Sequence, residues 1–139
     1  MNDLEPPIAP LDTVLIIDDE LFDQKMYQRI ISRSGLVRHT LSFQFAQDAL
    51  DYLKDSSNQK VDVIFLDINM PRMNGFEFLE AATAEHGPNF ATLCVVMLTT
   101  SLTKSDQRRA AQFPIVKEYL NKPLTTDDMA HVARLVQNI

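Results

Sequence analysis

Reactive side chains recur in one setting along this chain, at the end of an apolar run. VLIIDDE (Val14–Glu20) drives four apolar residues into Asp18, Asp19 and Glu20, and VDVIFLD ends in Asp67. TLCVVML runs into Thr99, Thr100 and Ser101, and IVKEYL into Asn121, Lys122 and Pro123. Carboxylates of Asp18, Asp19 and Asp67 brought together repel, at about 3 kcal/mol per pair for roughly 5 Å and an effective dielectric of about 20. A proton on one acid relieves this, and so does a cation among them. An oxygen-only set with no nearby His or Cys suits a hard divalent ion such as Mg²⁺, which takes few carboxylates and completes its shell with water and phosphate oxygens. The acids can therefore hold a metal that in turn holds a phosphoryl group. Phosphoryl transfer needs charge neutralisation around the equatorial oxygens and an in-line nucleophile. Lys122 can supply positive charge and Thr99 a hydroxyl donor. Asp67, alone at the end of its run, is the candidate nucleophile, a carboxylate that becomes an acyl phosphate.

Each of these residues has an ordinary explanation when taken singly. A strand-end Asp caps helices and forms turns, Asp18 and Asp19 can cap the helix that follows, Lys122 can be solvated, and Thr99 is a common strand residue. The functional reading depends on one scaffold bringing them together, and the pattern supplies one. TVLIID, HTLSFQF, VDVIFLD, TLCVVML and IVKEYL read as strands, most of them apolar enough to be buried on both faces. Between and after them lie helical stretches: Leu21–Ser34 with Phe22, Met26 and Ile30 on one face and Gly35 as its stop, Ala46–Asp55, Gly75–Glu85, Lys104–Phe113, and a last helix capped by Thr125 or Thr126. Five strand-helix alternations predict an α/β protein, a five-stranded parallel sheet with helices on both faces. Ligands of such sheets bind outside the carboxyl ends of the strands, where the reactive residues fall.

The 139 residues make one domain, 45% apolar and 23% charged. A formal net charge of -6 argues against nucleic-acid binding. No apolar run reaches the roughly 20 residues of a membrane helix, and the proline-rich start MNDLEPPIAP has no secretory pattern. Residues 1–12 are expected to be a flexible arm and 13–139 the folded domain. The single cysteine, Cys94, excludes an internal disulfide, suits a reducing cytoplasm and reads as a small core residue. His39, His86 and His131 lack metal-type spacing, and QRRAAQ reads as a solvated helix face.

With these residues in view, the chain from about Thr13 onward resembles the receiver domain of two-component response regulators. The resemblance is carried by LIIDDE, IFLDINMPRMNGFEFL, VVMLTTS and YLNKPL, in that order. It implies a doubly wound, flavodoxin-like sheet of order 2-1-3-4-5. It implies Asp67 as the phosphorylated residue and a Mg²⁺ site of Asp18, Asp19, Asp67 and the Asn69 backbone carbonyl. Asp19 is the expected direct ligand, with Asp18 acting through water. Thr99 and Lys122 would contact the phosphoryl group, Lys122–Pro123 would be a cis bond, Gly75 would open the third helix, and Tyr119 would switch inward with Thr99 on activation. Thr100 stands where alanine is frequent in the family, and Leu124 where phenylalanine is. SGLVRHT and KDSSNQK carry loop extensions. Asn69 and Ser101 occupy the positions that tune hydrolysis, and neither is bulky, which implies a phosphoryl group of limited lifetime.

The function expected is that of a stand-alone response regulator, a phospho-accepting signalling domain and not a conventional enzyme. It would take its phosphoryl group from a sensor histidine kinase or histidine phosphotransfer protein. Output would run through the face of helix four, strand five and helix five, to a downstream protein or a homodimer, with no nucleic acid or membrane partner. A phosphate sink and a pseudo-receiver acting as a constitutive interaction module are the alternatives. A phosphohydrolase of the aspartyl-phosphate type wants an acid at position 69, where this chain has Asn69. A flavin-binding domain of this fold wants a phosphate loop after strand one, where acids repel the ligand.

Overall fold

The computed structural model describes residues 8–100 and 103–139. Its elements alternate: β1 (Leu11–Ile17), α1 (Leu21–Ser34), β2 (Val37–Phe43), α2 (Ala46–Lys54), β3 (Val63–Asp67), α3 (Gly75–His86), β4 (Cys94–Thr99), α4 (Lys104–Ala110), β5 (Val116–Asn121) and α5 (Thr126–Gln137). The five strands form one sheet in the order β2-β1-β3-β4-β5, and every pairing is parallel.

The continuous apolar runs have a direct physical explanation. Successive side chains of a strand point to opposite faces, so a strand covered on both sides must be apolar throughout. Leu15, Ile17, Ile64, Leu66, Val95 and Met97 join one core with residues of α2, α3 and α4. Val14, Ile16, Val63, Phe65, Cys94, Val96 and Leu98 join a second core with α1 and α5. Helix ends follow local chemistry. Asn74 and Glu77 form a reciprocal capping box at α3, and Thr125 and Asp128 another at α5. Gly35 ends α1 in the left-handed conformation, at φ 67°.

The structure corrects several expected bounds. β1 begins at Leu11, two residues before Thr13, because the Leu11 N–H donates to the Leu36 carbonyl at 2.6 Å and the side chain is buried. β2 spans Val37–Phe43 rather than His39–Phe45, and Phe45 becomes the N-cap residue of α2. Only one edge of β2 is paired, so its mixed composition marks its ends poorly. α4 stops at Ala110, short of Phe113, as the chain turns ahead of Pro114. The apolar row Phe22–Met26–Ile30 is not the inner face of α1. Phe22 is 72% exposed, and the buried residues are Gln24, Tyr27 and Ile31. The Gln24 amide causes this rotation, donating to the carbonyls of Asp18 at 2.7 Å and Phe43 at 2.8 Å.

Candidate functional site

The sheet assembles the reactive residues from strands distant in sequence. β1 and β3 are neighbours, with Ile17 paired to Leu66, so Asp18 and Asp19 emerge beside Asp67. β4 lies on the other side of β3, with Asp67 paired to Leu98. Thr99 pairs with Asn121 of β5, and the Lys122 N–H donates to the Thr99 carbonyl at 2.9 Å. Lys122 then reaches back over the strand ends, and the bond to Pro123 is cis.

One carboxylate oxygen from each of Asp18, Asp19 and Asp67 lies within 4.8 Å of the others. Lys122 Nζ is 2.9 Å from Asp18 and 3.3 Å from Asp67. The backbone around the acids is fixed. Asp18 accepts from the Glu20 N–H at 2.9 Å, and the Asp19 carbonyl accepts from the Gln44 amide at 3.2 Å. α3 starts hard against the end of β3. The Gly75 N–H donates to the Ile68 carbonyl at 2.9 Å, and a β-carbon on Gly75 would stand 2.6 Å from the Asp67 carbonyl oxygen. Here glycine is required by close approach.

The charges are unbalanced in a way that fits a cation. Burial, with the charge of Asp18 adding to it, raises the Asp67 pKa from 3.8 to about 6, against the opposing pull of Lys122. Burial likewise raises Asp18, although the Glu20 N–H and Lys122 stabilise its charge. Burial alone would lower the Lys122 ammonium, but the hydrogen bond and charge of Asp18 and the charge of Asp67 outweigh it and hold Lys122 above its ordinary value. Two carboxylates stay hard to ionise with an ammonium already between them, and all donors are oxygens. A hard divalent cation suits that set.

Asp18, Asp19, Asp67 and Lys122 come together as a cluster. Asn69 lines a cleft of about 220 Å³ with Asp19, Glu20, Asp23, Asp67, Thr100 and Lys122, and its backbone N–H bonds the Asp67 carboxylate. Thr99 closes β4 buried at 1% exposure, and Thr100 lines the cleft. Tyr119 is half-buried and lines a different groove, with Lys104, Gln107, Arg108 and Ala111. Ser101 lies outside the described residues, as do residues 1–7 of the arm. His131 faces Glu118. QRRAAQ is exposed except at Ala110, which packs into the core, and the exposed Arg109 lays its guanidinium 4.5 Å from the centre of the Phe76 ring.

The sequence reading missed the contributions of α1. Asp23 Oδ2 lies 3.3 Å from Lys122 Nζ, and Gln24 fixes the acidic loop. An acid in a first helical turn ordinarily reads as a partner of the helix dipole. Its one available signal was position, since residues 18, 19 and 23 meet at one helix start. Arg72 was also missed. It adopts φ 69° and lays its guanidinium 4.9 Å from the centre of the Phe45 ring, tying the loop after β3 to the loop after β2.

Comparison with known proteins identifies the family and the fold. The response regulator receiver domain family matches residues 14–134, and the chain belongs to that family. Receiver domains are signalling domains of two-component systems. An uncharacterized response regulatory protein of Vibrio cholerae is 32% identical over 127 residues, covering 90% of this chain and 48% of that protein. A probable chemotaxis protein CheY of Rhizobium etli is 29% identical over 122 residues, covering 88% of this chain and 89% of that one. The crystal structure of a two component response regulator from Cytophaga hutchinsonii superposes with a TM-score of 0.82 at 28% identity, covering 94% of this chain and all of that one. The chain spans under half the length of several relatives, including 30% of the chemotaxis protein CheV2 of Helicobacter pylori. Among the described residues, no helix is long and apolar enough to cross a membrane.

Proposed function

We propose that the chain accepts a phosphoryl group on Asp67 from a phosphohistidine of a sensor histidine kinase or histidine phosphotransfer protein in the cytoplasm. The observation that carries this is the Asp67 carboxylate, buried at the end of β3 with Asp18 and Asp19 oxygens within 4.8 Å and Lys122 Nζ at 3.3 Å. An Asp67 oxygen attacks phosphorus, the phosphorus–nitrogen bond breaks, and the electron pair leaves with the imidazole. Asp18, Asp19, Asp67 and the Asn69 carbonyl would hold Mg²⁺, which would supply charge neutralisation at the phosphoryl oxygens. Lys122 pairs with those oxygens from the β5 side. The Thr99 hydroxyl, at the end of the adjacent strand, donates to the phosphoryl group once it moves toward it. Tyr119 then repacks against the core residues it already touches, and the face of α4, β5 and α5 changes for a downstream protein or a second copy of the chain. That is a local charge event biasing a two-state element.

The test is intact mass after incubation with acetyl phosphate and Mg²⁺, for the wild type and Asp67→Asn. One phosphoryl group on the wild type alone is the expected result. Equal labelling of the variant moves the acceptor away from Asp67 and overturns the proposal; no label on either protein, with a phosphohistidine donor also supplied, overturns it too and leaves a constitutive interaction module.

A further inference from the structure

Among the described residues the ammonium of Lys122 has three carboxylate neighbours, and one of them lies outside the acidic cluster of Asp18, Asp19 and Asp67. Asp23 Oδ2 stands 3.3 Å from Lys122 Nζ, the same separation as Asp67 Oδ1. Lys122 is therefore divided between β3 on one side and α1 on the other, with Asp18 between them at 2.9 Å. Asp23 is set for this by its place in the first turn of α1, directly beyond the loop that Gln24 clamps. Tyr27 lies one turn further along the same side of α1. Its ring is buried at 2% exposure, and its hydroxyl has no hydrogen-bond partner among the described residues. Lys122 exerts the strongest charge effect on that phenol, ahead of Asp18, Asp23 and Asp67. α1 thus turns one carboxylate toward the lysine, with a buried, unpartnered hydroxyl one turn beyond it.

We propose that Asp23 is a positioning residue that holds Lys122 toward α1 and so competes with the phosphoryl group on Asp67 for the ammonium. The inference rests on Asp67 as the acceptor. To pair with phosphoryl oxygens, Lys122 must give up its contact with Asp23, and that loss is part of the barrier to phosphorylation. Asp23→Asn removes the competing charge and keeps the side-chain shape. A partly exposed ion pair of this kind sets the scale of the effect at about two- to fivefold in rate.

The experiment follows phosphoryl acceptance from acetyl phosphate at saturating Mg²⁺ for the wild type, Asp23→Asn, Asp23→Glu and Glu20→Gln. It also follows the Lys122 Nζ resonance of the metal-free proteins by ¹⁵N NMR. Asp23→Asn is expected to accept the group about two- to fivefold faster and to shift the Nζ resonance. Asp23→Glu is expected to restore both, and Glu20→Gln calibrates the loss of one cleft charge that does not touch Lys122. Equal acceleration by Glu20→Gln reduces Asp23 to bulk charge and overturns the inference. An unmoved Nζ resonance, or unchanged or slower acceptance in Asp23→Asn, also overturns it. A wild type that accepts no phosphoryl group, from acetyl phosphate or from a phosphohistidine donor, refutes the proposed function instead, and the Nζ measurement then still decides whether Asp23 holds the lysine.

Discussion

Gly75→Ala tests how tightly the acceptor strand is held. The substitution places a methyl group 2.6 Å from the Asp67 carbonyl oxygen, 3.1 Å from Ile68 Cα and 3.3 Å from Met97 Cε. The Met97 methyl is a flexible end and can turn away, but the other two contacts are backbone. Ordinary contact begins at 3.4 Å, so the start of α3 and the end of β3 must separate by about 0.8 Å. Overpacking of this kind costs about 1–3 kcal/mol. Alanine in a helix returns at most about 1 kcal/mol over glycine, and less in a first turn. The net expectation is a loss of about 1–2 kcal/mol in urea denaturation. The same separation shifts Asp67 relative to Asp18 and Lys122. A misplacement of 1 Å can cost on the order of 100-fold in rate, so the part of this shift borne by β3 should slow phosphoryl acceptance by roughly tenfold. A variant more stable than wild type with an unchanged acceptance rate would refute the reasoning, because helix propensity would then outweigh contact. Stability loss at full acceptance rate would keep the packing argument and remove the placement argument.

Three further outcomes are expected. Asp67 carries a pKa of about 6 against 3.8 when unfolded, so between those values the folded state binds more protons and stability falls as pH rises. The loss saturates above pH 6 at about 3 kcal/mol, and Asp67→Asn should abolish it when denaturation at pH 4 and pH 7 is compared under chelation. A wild type no less stable relative to Asp67→Asn at pH 7 than at pH 4 would count against it. Mg²⁺ at 100 times its dissociation constant should stabilise the wild type by about 2.7 kcal/mol, and Asp18→Asn should lose most of that in thermal melts with and without the ion. Phe22→Ser should change stability by less than about 0.5 kcal/mol while Ile31→Ala costs about 2–4 kcal/mol. The reverse order in urea titrations would show that the apolar row of α1 faces inward after all.

What was legible in the sequence is what a buried parallel sheet imposes locally. A strand covered on both faces must be apolar along its length, so VLII, VIFL and CVVML announce themselves, and the residue after each run sits at the ligand edge. Asp18, Asp67, Thr99 and Lys122 could therefore be placed together before any contact was known. The rotation of α1 was not legible because it is decided by Gln24 reaching two carbonyls, one of them on β2, far along the chain. Asp23 was obscured for the same reason. Its partner Lys122 comes from the opposite end of the sequence, and an acid in a first turn already has a local explanation. The start of β2 is set where Leu36 meets Leu11, a long-range event that its mixed composition does not record.

The burial of Cys94 has a practical consequence. The thiol is fully enclosed in the core beneath α1 and α5, and burial pushes its pKa up to about 11. In the closed protein it is neither reachable nor nucleophilic, so any reaction with an alkylating reagent must pass through a state in which that face of the sheet has come apart. As the one cysteine in the chain, it is a built-in gauge of opening. Its labelling rate, divided by that of an unfolded thiol, gives the population of the open form directly. Metal binding or phosphorylation at the far edge of the sheet can then be read as a change in how often the molecule opens, with no probe added to the surface where partners would bind.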